Sequence, residues 1–268
     1  MTKTAQVEIP QVLERYELKY HIPFELVEPI SQFVKPYCSL DEYSEREPKG
    51  FYMINNLYLD SPFYTFLNNR LEGAEKRFNM RIRSYGADPV PPYFFEIKYK
   101  TGDIIRKFRV KCKKGDAQEM LNCPDVVEKY GLKGKEARNM ELFQRLAIQY
   151  GIEPKVFTQY IRKAWISDID DYARVTFDVD MKCMEAEGFT FKPDPLKMEP
   201  YDNETIFQPG CNTILELKCY TSSVPLWMLD LIREFDLRRS SFSKYSNGAL
   251  KVLRWQRSYL KGTDQSDR

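Results

Sequence analysis

Glu17, Leu18 and Lys19 set an acid and a base two residues apart around an apolar side chain, and the same spacing returns along the chain. Arg81 and Arg83 flank Ile82, Glu96 and Lys98 flank Ile97, and Lys107 and Arg109 flank Phe108. Asp178 and Asp180 flank Val179, and Glu216 and Lys218 flank Leu217. Alternate side chains of a β-strand share a face, so each triplet reads as an ionic pair on one side and an apolar residue on the other. Arg174 has the parity of Asp178, and Arg162 lies in the strand-like stretch YIRKAW. On one face this gathers nine basic groups (Lys19, Arg81, Arg83, Lys98, Lys107, Arg109, Arg162, Arg174, Lys218) and five acids (Glu17, Glu96, Asp178, Asp180, Glu216). That face carries about +4 in a molecule whose formal charge is +2. Arginine grips phosphate oxygens in pairs and lysine acts as a point charge, while carboxylates supply oxygen donors for a hard divalent cation.

The elements that must hold these residues follow from periodicity. Strands are expected at 14–21, 51–59, 78–85, 92–99, 103–111, 156–166, 172–182 and 213–220. Helical patterns run over 23–35 (with Pro29 as an interruption), 61–71, 135–150, 226–236 and 243–255. Asp60 is placed to cap the second of these helices, with Pro62 in its first turn. Gly151 closes the third. The stretch 184–212 has four prolines and little period, so it reads as a long loop or poorly ordered insertion. Strands without regular βα alternation argue for a mainly antiparallel α+β fold.

Two arrangements fit the strand pattern. In one, the charged faces are solvated exteriors over an apolar core. In the other, the sheet is inside out. The charges line a wet lumen, and Leu18, Ile82, Ile97, Phe108, Val179 and Leu217 point outward beneath the helices. Six strands built on Arg, Lys, Glu and Asp pairs favour the second. A barrel of about eight strands has a narrow interior, where so many cations repel unless the acids or a polyanion offset them. Its natural occupant is long, thin and highly negative.

Composition excludes other chemistries. His21 is the only histidine, which removes a histidine-based zinc site or a catalytic triad. Six cysteines lie scattered without a CxxC pair and there is no signal peptide, so reduced thiols and a cytoplasmic location are expected. Hydrophobic residues make up 43% and aromatics 14%, enough for a substantial core. No apolar run reaches the roughly 18 residues of a membrane span, so no direct membrane insertion is expected. Lys111–Lys114 (KCKK) reads as a solvated loop rather than a specific nucleic-acid patch. Tyr58 and Tyr160 read as packing aromatics with a place at the lumen wall as the alternative. His21 reads as a strand-end residue without a chemical role.

ELKY, RIRSYG, FEIKYK, IRKFRV, YIRKAW, RVTFDVDM, ILELKC and FSKYSNG occur in that order, and the order resembles the VTC domain. That is the catalytic domain of the vacuolar transporter chaperone polyphosphate polymerase, within the CYTH-like triphosphate tunnel metalloenzyme superfamily. The resemblance covers roughly residues 10–255 of a single domain spanning 1–268. It implies an antiparallel eight-stranded β-barrel tunnel, flanked by helices, that binds ATP, triphosphate or polyphosphate with Mn²⁺ or Mg²⁺. The implied reaction moves the γ-phosphate of ATP onto polyphosphate. Lys19, Arg81, Arg83, Lys98, Lys107, Arg109, Arg162, Arg174, Lys218 and Lys244 match phosphate-binding positions. Glu216 matches the metal ligand, with Asp178, Asp180, Glu96 and Glu17 as further candidates. Arg81, Arg83, Lys98, Arg162 and Glu216 would carry the catalysis.

The sequence also departs from related patterns. The hydrolytic branch opens with ExExK, and Arg15 here replaces the first glutamate. The fungal FSK motif has a lysine where this chain has Ser241. Two other readings stay open beside transfer. One is triphosphate hydrolysis with Glu17 or Glu96 orienting water. The other is a polyphosphate-binding module without catalysis.

Overall fold

The computed structural model describes residues 15–263, apart from 88–89, 103, 114, 116, 203–209 and 221–222. In chain order the elements are β1 (Arg15–Ile22), α1 (Val27–Val34), β2 (Cys38–Leu40), α2 (Glu42–Glu45), β3 (Tyr52–Asp60), α3 (Thr65–Leu71) and β4 (Lys76–Tyr85). They continue with β5 (Tyr93–Thr101), β6 (Ile104–Cys112), α4 (Ala117–Asn122), α5 (Val126–Lys129), α6 (Gly134–Tyr150), β7 (Glu153–Ser167) and β8 (Ala173–Glu185). The last are β9 (Glu199–Pro200), β10 (Thr213–Tyr220), α7 (Leu226–Glu234), β11 (Arg239–Ser240) and α8 (Lys244–Thr263).

All eight expected strands are present and run side by side in the order β1-β10-β8-β7-β3-β4-β5-β6. Short strands extend this to eleven, with β11 beside β1, β2 beside β7 and β9 beside β8. The expected closed eight-stranded barrel is therefore corrected to an open antiparallel sheet. Among the described residues the two ends of the sheet do not pair by backbone. Its curl nonetheless brings together side chains of strands next to those ends, because Lys98 on β5 donates to Glu17 on β1. At the β6 end, Asn139 Nδ2 from α6 donates to the Arg109 carbonyl at 3.0 Å, which occupies an acceptor near the edge strand.

Four of the six apolar residues between the ionic pairs are buried as the inside-out arrangement requires, while Phe108 also borders the cavity. Ile82, Ile97 and Leu217 are at most 1% exposed and Val179 6%, while Leu18 and Phe108 are half-buried. One cluster joins β3, β4, β5 and β7 to Phe66 and Leu67 of α3, Met140 and Phe143 of α6, and Tyr245, Ala249 and Val252 of α8. A second joins β1, β8 and β10 to Ile30 and Val34 of α1 and Trp227, Met228 and Leu231 of α7. The helices thus cover the outer face of the sheet and leave its inner face to the charges.

Several local expectations shift. Pro29 falls in the first turn of α1, where a missing N–H costs nothing, so the helix continues through it. Asp60 is not adjacent to α3, which begins at Thr65 after Tyr64 in the left-handed region. Its buried carboxylate still accepts from the Phe66 and Leu67 amides at 2.9 and 3.0 Å, and from the Tyr245 hydroxyl of α8. The stretch 184–212 is not featureless: β9 pairs with β8, Phe191 and Tyr201 are buried, and the Tyr201 amide donates to the Met181 carbonyl. Its residues 203–209, like Lys114 of the KCKK cluster, lie outside the described residues.

Candidate functional site: a charged cavity on the inner face

The inner face of the curled sheet encloses a cavity of about 1570 Å³. All ten expected phosphate ligands line it: Lys19, Arg81, Arg83, Lys98, Lys107, Arg109, Arg162, Arg174, Lys218 and Lys244. Strand register sets their neighbourhood. Arg81 lies opposite Glu96, and Glu96 opposite Arg109. Lys19 lies opposite Glu216, Lys218 opposite Arg174, and Arg162 opposite Asp178.

The cations do not face one another bare. Glu96, 2% exposed, gathers Arg81 at 2.7 Å, Lys107 at 2.6 Å and Arg109 at 3.1 Å, with Arg83 at 4.0 Å. Burial pushes its carboxyl upward, but those four cations together hold it well below the usual carboxylate range. Asp178, fully buried, takes both guanidinium donors of Arg162 at 2.6 and 2.8 Å and also the ammonium of Lys244. Burial would raise Asp178 too, yet Arg162 and Lys244 bring it down to about 2. Glu216 accepts Lys19 at 3.0 Å and Lys218 at 2.6 Å, Glu17 accepts Lys98, and Asp41 accepts Arg174 at 3.0 Å. The repulsion expected of an unoccupied lumen is thereby offset by carboxylates of the protein itself.

Two lysines keep the mark of their setting. Burial lowers Lys98; Glu17 and Glu216 oppose this and Lys19 adds to it, leaving its pKa at about 8. Burial lowers Lys107 as well; Glu96 opposes, Arg83 and Arg81 add, and the result is about 7.

Asp180 does not join the site, which corrects its place among the metal candidates. The β7–β8 register jumps from Gln159/Lys182 to Ile161/Val179, a bulge that puts Asp180 at φ 49°. Simple alternation ends there, and the Asp180 side chain, 56% exposed, pairs with Lys182 at 3.0 Å on the outside. Glu96 and Asp178 sit beneath the cavity lining, enclosed by their cations. Glu17 and Glu216 are the two metal candidates that line the cavity.

The tyrosines are wall residues with hydrogen bonds. The Tyr58 hydroxyl accepts from Arg81 at 3.1 Å and Tyr160 from Arg83 at 3.3 Å, and both rings line the cavity. Asn56, buried, accepts Arg83 Nε at 2.9 Å. His21 packs edge-on against Phe242 at 5.6 Å, with its Nε2 buried.

A comparison with family models matches the VTC domain over residues 14–253. The chain belongs to the VTC domain family. No curated protein matches it. Among solved structures, an adenylate cyclase candidate from Vibrio parahaemolyticus is similar, with TM-score 0.46, 12% identity, and coverage of 88% of this chain and 97% of the other. An adenylyl cyclase candidate from Hippeastrum, described as having a dominant triphosphatase activity, gives 0.46, 13%, 90% and 97%. A further cyclase candidate from Bacillus halodurans gives 0.43, 10%, 86% and 94%. The assignment rests on the family match.

The VTC motifs thus converge on the cavity, but parity missed several lining residues. Asp41 precedes α2, accepts from the Ser44 amide and the Tyr52 hydroxyl, and holds Arg174. Arg70 comes from helix α3, Arg77 from the start of β4, and Ser241 and Ser243 from the turn before α8. A helix residue has no strand parity, so only the curl of the sheet reveals it. Lys111 of the KCKK cluster also lines the cavity, its ammonium 5.9 Å from the Phe94 ring centre.

The resemblance carried by the motifs implies a divalent metal. Among the described residues no group of three or more His, Cys, Asp or Glu gathers as a protein cage. The donor set nonetheless fits Mg²⁺ or Mn²⁺, since such ions are commonly held by one or two carboxylates plus substrate phosphates. Glu17 and Glu216, close enough that the charge of Glu216 raises the Glu17 carboxyl, supply those oxygens.

The described helices include none long and apolar enough to cross a membrane.

Proposed function

We propose that the chain, acting as one VTC domain, binds the triphosphate of ATP in this cavity and transfers its γ-phosphate onto polyphosphate. The observation that carries the proposal is the convergence of ten cations, five lysines and five arginines, on one water-accessible cavity. Arg81, Arg83 and Arg162 present planar guanidinium groups with fixed orientation, because Glu96, Asn56, Tyr160 and Asp178 hold them. Phosphoryl transfer asks mainly for positioning and charge stabilisation, and preorganised donors provide both. Lys19, Lys98, Lys107, Arg109, Arg174, Lys218 and Lys244 supply the remaining positive field. Mg²⁺ or Mn²⁺ held by Glu17 and Glu216 would neutralise charge on the phosphate oxygens.

The carboxylates favour transfer over hydrolysis. Burial would raise Glu17, but Lys98, Lys218 and Lys19 bring it to about 2, and Glu96 is held lower still than usual. Such groups are weak bases toward water. The terminal phosphate of a polyphosphate chain is already an anion and needs no base of that kind.

The deciding experiment incubates the purified protein with ATP and Mn²⁺ or Mg²⁺ and resolves the products on a gel. A ladder of long chains is the expected result. Free phosphate alone would replace the proposal with triphosphate hydrolysis, and binding without turnover would replace it with a polyphosphate-binding module.

A further inference from the structure

Nine of the ten motif cations stand on strands, where register fixes them, but Lys244 is the first residue of helix α8. Its ammonium nonetheless reaches Asp178 and lies 4.8 Å from the centre of the Tyr160 ring, so something must set where α8 begins. The fixed point is Asp60, the last residue of β3, which is 0% exposed. Its carboxylate accepts from the Ser61, Phe66 and Leu67 amides at 2.7, 2.9 and 3.0 Å, and from the Tyr245 hydroxyl. A buried carboxylate is costly without donors, and these groups supply them.

The amides belong to the residues that follow Asp60 directly and would meet it wherever α8 lay. The Tyr245 bond is different in kind, because it ties the end of β3 to a helix 185 residues further on. An ionised carboxylate only accepts, so the phenol must keep its proton. Burial, and after it the charge of Asp60, push Tyr245 above the usual phenol range. The Tyr245 ring also stacks on Tyr58 at 5.0 Å, and the Tyr58 hydroxyl accepts from Arg81. One turn on, a Cβ at Gly248 would lie 3.3 Å from side-chain carbons of Val156 and Thr158 on β7 and 3.4 Å from Cys183 on β8. The start of α8 is thus fixed in direction by Tyr245 and in depth by the close approach at Gly248.

We propose that Asp60 and Tyr245 are positioning residues for phosphate binding: their hydrogen bond sets the start of α8 so that Lys244 projects into the cavity. Tyr245 borders the cavity, but its hydroxyl is committed to Asp60, so it acts through its neighbour. The inference deepens the proposed function and rests on it.

The test is a double-variant cycle on the affinity for inorganic triphosphate with Mg²⁺, with the unfolding temperature of every variant recorded beside it. Tyr245→Phe keeps the ring and removes the hydroxyl. It is expected to weaken binding about tenfold, the scale of one hydrogen bond to a charged group. In a Lys244→Met background the same change should cost almost nothing more, because the group it positions is gone. In an Arg174→Met background it should cost its full factor, because Arg174 is held by Asp41 instead. Equal losses in the two backgrounds would overturn the inference by making the bond a general support of the fold. Tyr245→Phe with intact affinity and only a lower unfolding temperature would overturn it too, as would Lys244→Met that binds like the wild type. Should Tyr245→Phe not fold, Asp60→Asn, which puts an amide NH2 among the same donors, carries the cycle in its place. A wild-type protein that does not bind triphosphate refutes the proposed function and this inference together, whereas binding with additive losses refutes the inference alone.

Discussion

Filling the cavity should draw protons from solution. Lys98, at about 8, and Lys107, at about 7, are the two cations that the protein's own field leaves partly uncharged near neutrality. A bound polyanion favours their charged forms and raises both values. At pH 8, a lysine titrating near 8 lacks about half a proton and one near 7 lacks about nine-tenths. Complete reprotonation would therefore take up about 1.4 protons. Lys107 is 42% exposed, so water screens part of its perturbation, and the expected uptake lies between about 0.5 and 1.4. Titration calorimetry of triphosphate at pH 8, in two buffers of different ionisation enthalpy, reads this number directly. Because triphosphate releases protons of its own, the decisive quantity is the difference from Lys98→Met and Lys107→Met, which removes the ligand's share. Each variant should take up fewer protons than the wild type, and the differences should largely vanish at pH 6, where both lysines are already charged. Equal uptake in all three proteins at pH 8 would refute the reasoning and show that these ammonium groups do not meet the phosphates.

Other perturbations follow from the same geometry. Asp178→Asn should destabilise the protein by about 3–5 kcal/mol in chemical denaturation, because Arg162 and Lys244 lose a fully buried counter-charge. Arg83→Ala should lower stability even without ligand, since Asn56, Tyr160 and Glu96 lose a partner; a rise in unfolding temperature would mean that repulsion dominates the unfilled cavity. Glu216→Gln should impair metal-dependent turnover more than triphosphate affinity, and unchanged turnover would remove Glu216 from the metal site. Stability should fall with acid: Glu17 and Asp178 drop from 4.5 and 3.8 to about 2 on folding, so their contribution is present above about pH 5 and is lost as pH falls toward 2. A flat denaturation midpoint from pH 6 to pH 3 would contradict those ion pairs.

The strands were legible because alternation is local: an ionic pair around one apolar residue states which face is wet, whatever the neighbouring strand does. All eight long strands and the burial of Ile82, Ile97 and Leu217 follow from that rule. Its failures mark where the backbone breaks the alternation. Asp180 is turned outward by a bulge whose signature is an extra residue in pairing, which one strand read alone does not show. That the sheet stays open was equally invisible, since a strand's outer neighbour depends on curl over the whole sheet. Asp41 and Arg70 enter the site from short helical connections, and no periodicity within those segments points to a cavity built by other strands.

The ion pairs also bear on how a phosphate ligand would bind. A cavity of bare cations would attract any polyanion strongly but would be hard to fold. This one is assembled with its charge already balanced, and Glu96 and Asp178 are too deeply enclosed to leave their partners. They fix the guanidinium planes and stay when a ligand enters. Glu17 and Glu216 are different: they line the cavity and are held by flexible lysines rather than by arginines. On the proposed reading, a triphosphate draws Lys19, Lys98 and Lys218 toward its own oxygens and leaves those two carboxylates facing an anion. That exchange is unfavourable unless a hard dication joins both sides. The same two residues that parity marked as an acid beside a base therefore tie phosphate affinity to metal concentration, and wild-type affinity for triphosphate should drop sharply in a chelator while that of a Glu17→Gln, Glu216→Gln double variant changes little.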